Sequence, residues 1–293
     1  MPSNEQRRAA AKRKLERQLA SRAERARKRK QLTIAGSALG VVVVIAAVTG
    51  VYFLTRGEDN ADTAASQTPD ASLSSTPGAA PPPPAAAKPA SVNCVYNDTP
   101  EPAAEPVEKP RAEGIQTGDD NATLSLSVDS NHGPLGLTLN NAESPCTVNS
   151  FASLAGQGYF DGTDCHRLTQ GEGLKVLQCG DPTGTGTGGP GYQFDNEYPT
   201  DQYPPEDPAL SEPIGYKRGV LAMANAGPGT NGSQFFIVYG DSMLPPNYTI
   251  FGTVDEAGLA TLDTIAGIGQ DESNGPGDGK PNQPVTLKSV RID

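Results

Sequence analysis

Histidine is scarce in this chain. Only His132 and His166 occur among 293 residues, beside four cysteines. No Cys-x-x-Cys pair is present, and Cys165 and Cys179 stand fourteen residues apart. Structural zinc sites draw on ligands about two to four residues apart, so no metal centre is expected. A thiol nucleophile is disfavoured as well. His166 adjoins Cys165, and neighbours on a strand point to opposite faces, which leaves His132 as the one other candidate base. Tryptophan is absent, and no internal repeat period is visible.

Basic residues are missing from most of the chain. Thirteen of the 23 Lys and Arg lie at or before Arg56, against three acidic residues there. Beyond Arg56 stand ten basic and 31 acidic residues, so the overall net charge of −11 hides a basic head and a strongly acidic body. An acidic body argues against nucleic acid as the main partner.

One long uncharged run is present. LTIAGSALGVVVVIAAVTGVYFL, residues 32–54, is 23 residues without a charge. At about 1.5 Å per residue it is long enough to span a hydrocarbon core of about 30 Å as a transmembrane helix. Basic residues crowd its N-terminal side, and Tyr52 falls near the far interface. The positive-inside rule then places 1–31 in the cytoplasm and the C-terminal body outside the cell, a single-pass anchor in the bilayer. The basic region and the apolar run are both too long for an ordinary cleaved signal, although small residues near Ala61–Ala65 leave processing open.

Residues 55–120 are dominated by Ala, Pro, Ser, Thr and Asp and hold few β-branched or aromatic residues. With PPPP at 81–84, they read as an extended, disordered spacer. VNCVY at 92–96 is the exception, placing Cys94 there.

From about Asn121 the texture changes. ATLSLSVDS (122–130) sets Leu124, Leu126 and Val128 against Thr123, Ser125 and Ser127, a strand with one buried face. HGPLGLTLN (132–140) alternates again, and 144–160 carries Val148, Phe151 and Leu154 at helical spacing. Further strands are expected near 164–168, 174–179, 219–224, 234–239, 248–254 and 283–292, with a second helix over Glu256–Ile268. This order predicts a mostly β domain over 121–293, a closed antiparallel barrel capped by two helices. Outside a membrane, four cysteines commonly form two disulfides, with three possible pairings. If 164–168 and 174–179 form a hairpin, Cys165 lies across from Cys179, which leaves Cys94 for Cys146.

Four stretches carry a family resemblance: TVNSFASLAGQGYFDGTDCHR (147–167), VLQCGDPTGTGTGGPGYQFDNE (176–197), RGVLAMANAGPGTNGSQFFIVYG (218–240) and LPPNYTIFGTV (244–254). In this order they resemble the cyclophilin family of peptidyl-prolyl isomerases, over roughly 121–293. The anchor and the high glycine content suggest a bacterial form, of an actinobacterial kind. The resemblance implies an eight-stranded barrel and rotation about X–Pro bonds. Rotation breaks no bond, so it needs no nucleophile, metal or cofactor. It implies Arg167 as the catalytic cation, with Gln178 positioning it and the substrate backbone. Val176, Phe236, Leu244 and Tyr248 match the proline pocket, with Phe235 facing the core. Ala224 and Asn225 match the strand that pairs with the peptide, Gln234 a groove amide, and His166 a support beside Arg167.

The chain also departs from the pattern. Lys175 stands where the family usually has an aromatic residue, and the loop from Arg167 to Gln178 is longer than usual, which could bring Leu174 into the pocket. Met243 stands near a position where many members carry Trp, which speaks against cyclosporin binding. The acidic, Pro-rich insertion 196–217 reads as a surface loop rather than a groove wall. The expected function is therefore isomerisation of X–Pro bonds in unfolded exported or cell-surface proteins. A Pro-peptide-binding module without turnover is the alternative, and a structural wall protein a third reading.

Overall fold

The computed structural model describes residues 80–293. The basic segment 1–31, the apolar run 32–54 and the linker up to residue 79 lie outside the described residues. Among the described residues no helix is long and apolar enough to cross a membrane.

In chain order the strands and helices are β1 (Ser91–Val92), β2 (Asn97–Asp98), β3 (Ile115–Gln116), β4 (Thr123–Ser130), β5 (Gly133–Asn140), α1 (Pro145–Gly156), β6 (Thr163–Asp164), β7 (Arg167–Thr169) and β8 (Lys175–Cys179). They continue with β9 (Tyr192–Gln193), β10 (Ile214–Tyr216), β11 (Val220–Met223), β12 (Phe235–Gly240), β13 (Ser242–Leu244), β14 (Ile250–Val254), α2 (Glu256–Ile268), β15 (Asp278–Gly279) and β16 (Thr286–Ile292).

The expected alternation holds. Leu126, Val128, Leu135, Leu137 and Leu139 are buried, as are Val148, Phe151 and Leu154 on α1. Phe151 gathers the core, with Phe160, Phe235 and Phe251 ring centroids at 4.9, 5.1 and 5.2 Å. Pro145 opens α1, where its missing N–H costs nothing. The remaining end groups find a distant partner. The Glu197 carboxylate accepts from Cys146 N at 3.0 Å, Thr147 N at 2.8 Å and Thr147 Oγ1 at 2.7 Å. Burial raises the Glu197 pKa, and these bonds oppose the rise. Asp255 caps α2 through Gly258 N.

The expected eight-stranded closed barrel needs correction. One antiparallel sheet runs β15-β7-β8-β12-β11-β14-β5-β4-β16-β6, an open row of ten segments forming a half-barrel with two helices. The strand expected at 164–168 breaks at Cys165–His166, because its halves pair with different neighbours, β6 with β16 and β7 with β8. Asp278–Gly279 adds a further short segment outside β7.

Two other expectations are corrected. The spacer is not structureless from residue 80 onward. There β1 pairs with β3 and β2 with β9, and Cys94 is bonded to Cys146 on α1. Tyr96 stacks edge-on against Tyr192 and Phe194 at 5.5 and 5.6 Å, and its hydroxyl donates to Cys146 O at 2.7 Å. The proline run also lies on the fold. Gly215 N donates to Ala80 O at 2.8 Å, and Tyr198 Oη to Pro83 O at 2.9 Å. Composition missed this order because the apolar surface that holds the segment belongs to the barrel. The insertion 196–217 is more than a loop. Its β10 pairs with β13, and Tyr216 is fully buried, donating to Tyr248 O at 2.9 Å.

Candidate active site

Four strands bring the site together in one row. Arg167 on β7 lies opposite Gln178 on β8, Gln178 opposite Phe236 on β12, and Phe236 opposite Ala222 on β11. Residues directly opposite in an antiparallel ladder share a face, so these side chains stand on one surface. Phe235, one residue earlier, turns inward to the core. The Cys165–Cys179 disulfide ties the break ahead of β7 to the end of β8, beside the Arg167–Gln178 pair.

Phe236 belongs to a second apolar cluster, separate from the main core. Val176, Ile214, Tyr216, Ala222, Phe236 and Val238 are buried in it, with Leu174, Ala224, Leu244 and Tyr248 packed against them half-exposed. The Tyr248 ring meets Phe236 edge-on at 5.8 Å. The sequence-predicted pocket residues Val176, Phe236, Leu244 and Tyr248 are thus together. Leu174 joins them, compensating in part for Lys175. Met243 is 52% exposed and outside the cluster.

The Arg167 guanidinium is held on one side. Its Nε donates to Asp278 Oδ1 at 2.8 Å and its Nη2 to Asp278 Oδ2 at 2.6 Å, a two-pronged contact across β15. Its Nη1 donates to Gln178 Oε1 at 3.1 Å. Asp278 raises the arginine pKa, and Arg167 in return lowers that of the Asp278 carboxyl. Asp278 is the residue that sequence reasoning missed. It is 111 positions from Arg167 in a Gly/Pro-rich turn, with no periodic signal around it.

A chain of amides leads away from this pair. Gln178 Nε2 donates to Gln234 Oε1 at 3.0 Å, and Gln234 Nε2 to Gly188 O at 3.0 Å. Gly188 lies in the Gly-rich loop 180–191, which is built on the fully buried Asp181. That carboxylate accepts from Thr183 N, Gly186 N and Thr187 N at 2.8, 2.7 and 3.0 Å. Burial alone would raise its pKa; the bonds from Thr183 and the loop hold it below the usual value. A Cβ on Gly188 would come within 2.0 Å of Asp181 Oδ1, so the loop closes over the carboxylate only with glycine there.

Gln178, Gln234, Ala224 and Asn225 line a cleft of about 610 Å³ next to the apolar cluster. The predicted pocket and groove residues therefore occupy two adjoining features, the cluster around Phe236 and this cleft, which share Ala224; Arg167 is in neither and joins them through its bond to Gln178. The Asn225 side chain is spent on the fold, donating to Asn247 O at 2.8 Å and accepting from Gly227 N. His166 packs under the loop, where a Cβ on Gly186 would touch its ring at 3.3 Å. Its buried Nδ1 has no hydrogen-bond partner, so its support is packing. Burial lowers its pKa, which keeps the ring neutral. Among the described residues no group of His, Cys, Asp and Glu could hold a metal ion.

This geometry can hold an apolar ring against Phe236 and set a fixed cationic donor beside it. A family model described as "Cyclophilin type peptidyl-prolyl cis-trans isomerase/CLD" matches residues 123–292, more than half of the chain. The chain is 54% identical over 307 residues to a "Probable peptidyl-prolyl cis-trans isomerase B" of Mycobacterium leprae, with all of both chains covered. It is 60% identical over 201 residues to a protein of the same description from Mycobacterium tuberculosis, covering 69% of this chain and 64% of that one. Among solved structures, a cyclophilin type peptidyl-prolyl cis-trans isomerase of Cryptosporidium parvum, in the presence of the dipeptide ala-pro, is similar at 33% identity. That match covers 58% of this chain and 98% of that one, with a TM-score of 0.45.

Proposed function

The chain belongs to the cyclophilin-type peptidyl-prolyl cis-trans isomerases, and from that premise we propose that the Arg167–Gln178–Phe236 row is where the X–Pro bond is turned. Resonance sets a barrier of about 18–20 kcal/mol to that rotation. An enzyme must bind the twisted bond better than either planar isomer. Twisting ends the conjugation and leaves a lone pair on the prolyl nitrogen. A fixed cationic donor aimed there stabilises the twisted state selectively.

Arg167 is the catalytic residue in this reading. The observation that carries it is the two-pronged Asp278 contact, which fixes the guanidinium while its Nη1 edge stays on the groove side with Gln178. Preorganisation of this kind avoids reorientation at the moment of rotation. Val176, Phe236, Leu244 and Tyr248, with Leu174, seat the proline ring. Gln178 and Gln234 orient the peptide, Ala224 and Asn225, just past the end of β11, offer it their backbone, and His166 fills the space behind.

The substrates in this reading are unfolded exported or cell-surface proteins. The chain is anchored in the cell membrane by 32–54, with 1–31 cytoplasmic and the isomerase domain outside. The two disulfides support an oxidising compartment, and the uncharged run with its basic flank supports the anchor. Protease digestion of intact cells tests the placement: a domain that is cut only after the cells are lysed overturns it.

The test of the site is exchange of a short X–Pro peptide by the full chain in non-ionic detergent, disulfides intact. Arg167→Ala is expected to lower kcat/KM roughly a hundredfold. Peptide binding without acceleration by either protein would make the domain a Pro-peptide receptor.

A further inference from the structure

The cleft beside the proline pocket has a wall that the barrel does not supply. Thr99 and Glu101–Ala104, from the segment ahead of the barrel, line it opposite Gln178, Gln234 and Ala224. This strap is fastened along its length. Thr99 N donates to Gly191 O at 3.1 Å and Ala104 N to Gly189 O at 2.9 Å, continuing the β2–β9 pairing. Strap and loop approach so closely that a Cβ on Gly191, at φ +77°, would lie 2.9 Å from Ala103 N. Upstream, the Cys94–Cys146 disulfide and the Tyr96 ring pin it to α1 and β9. Downstream, Lys109 donates to Tyr96 O at 3.0 Å and pairs with Asp98 at 2.7 Å, closing the turn.

The strap also sets the charge of the cleft. The remaining lining is hydroxyls, amides, glycines and small apolar groups, and Glu101 is its single charged residue. The backbone at Glu101 is held by Thr99 Oγ1, which donates to Glu101 O at 2.7 Å.

We propose that the Glu101 strap is a specificity wall of the isomerase groove, selecting substrates that carry Lys or Arg in the residues flanking the X–Pro pair. A peptide whose proline sits against Phe236 places a flanking side chain into the adjoining cleft, where the carboxylate favours a cation and repels an anion. The inference rests on the groove reading above. The strap belongs to the chain ahead of the barrel, so it adds selectivity without altering the residues at the rotating bond.

The experiment compares kcat/KM of the full chain in non-ionic detergent at low salt. The substrates are matched X–Pro peptides with Lys, Ala or Glu at each position flanking the pair. The expected order is Lys over Ala over Glu at one such position, with steps of roughly two- to fivefold for an ion pair to the exposed Glu101. Glu101→Gln should remove the preference, and Glu101→Lys should invert it, each read as the ratio of kcat/KM for the Lys peptide to that for the Glu peptide within one variant. Added salt should flatten the order. A preference unchanged in Glu101→Gln, or no preference in the wild type, overturns the proposal. The two readings fail separately: loss of the groove reading appears as Arg167→Ala turning over the Ala peptide normally, whatever the charge series gives.

Discussion

Phe235 and Phe236 are neighbours on one strand with opposite fates. Phe235 closes the main core among Phe151 and Phe160, at 5.1 and 5.7 Å. Phe236 is as well buried, yet its cluster is topped by half-exposed Leu244 and Tyr248 rather than by more core. The strand's period of two sends one ring to the main core and the other to the second cluster. The comparison teaches that burial alone does not separate a ring of the main core from one in the second cluster beside the cleft. What separates them is the neighbours across the sheet, Cys179 for Phe235 and the Arg167-bonded Gln178 for Phe236.

The largest effect expected from breaking this pair falls on the inward ring. Phe235→Ala should cost about 3–5 kcal/mol of unfolding free energy, read by denaturant titration. Unchanged stability would remove Phe235 from the core. Phe236→Ala should cost about 2 kcal/mol or less, because its cluster borders solvent. Its kcat/KM on an X–Pro peptide should fall more than roughly tenfold, mostly through KM. Equal losses of stability in both variants with normal turnover in Phe236→Ala would erase the distinction.

Asp278→Asn sharpens the outer side. It keeps the shape and removes the charge that steadies Arg167. Both side chains are part-exposed, at 32% and 27%, so the loss of stability should stay within roughly 1 kcal/mol. The expected signature is a kcat lowered roughly three- to tenfold at unchanged KM. A change in KM alone would assign Asp278 to substrate binding.

The smallest effects are in pH. Asp278 has a folded pKa below 3.8 because Arg167 donates to it. A depressed carboxylate contributes stability above its unfolded pKa and loses it as pH falls through the folded value. The Arg167 site should therefore hold down to about pH 4 and fail only below it. His166 is a base depressed below 6.5 by burial. Its neutral form adds stability that is complete above the unfolded pKa and declines as pH drops below 6.5 toward the folded value. His166→Gln should flatten that decline in a thermal-melt series from pH 7 to pH 5. An unchanged slope would show that His166 does not contribute to it.

Much of this was legible in the chain. The alternation in 122–130 and 132–140 placed Leu126, Val128, Leu135, Leu137 and Leu139 inside. The hairpin around 165–179 brought Cys165 to Cys179. The strap had a signal as well: Val92, Cys94 and Tyr96 alternate with exposed Asn93 and Val95, a strand pattern carrying a cysteine. It was outweighed by the Ala/Pro composition around it, since composition measures whether a segment can bury itself and not whether a neighbour will bury it.

The sequence by itself determined which residues face which way, because strand and helix periods are properties of the backbone. It also determined the four motifs, and with them the Arg167–Gln178–Phe236 set. Only the tertiary structure decided that Asp278 steadies Arg167 from 111 residues away, that Glu197 caps α1 from 50 residues away, and that Glu101 lines the cleft. Each of these pairings depends on where closed loops bring two surfaces together. No local period records that, because the partners share no repeat and meet only once the sheet between them has formed.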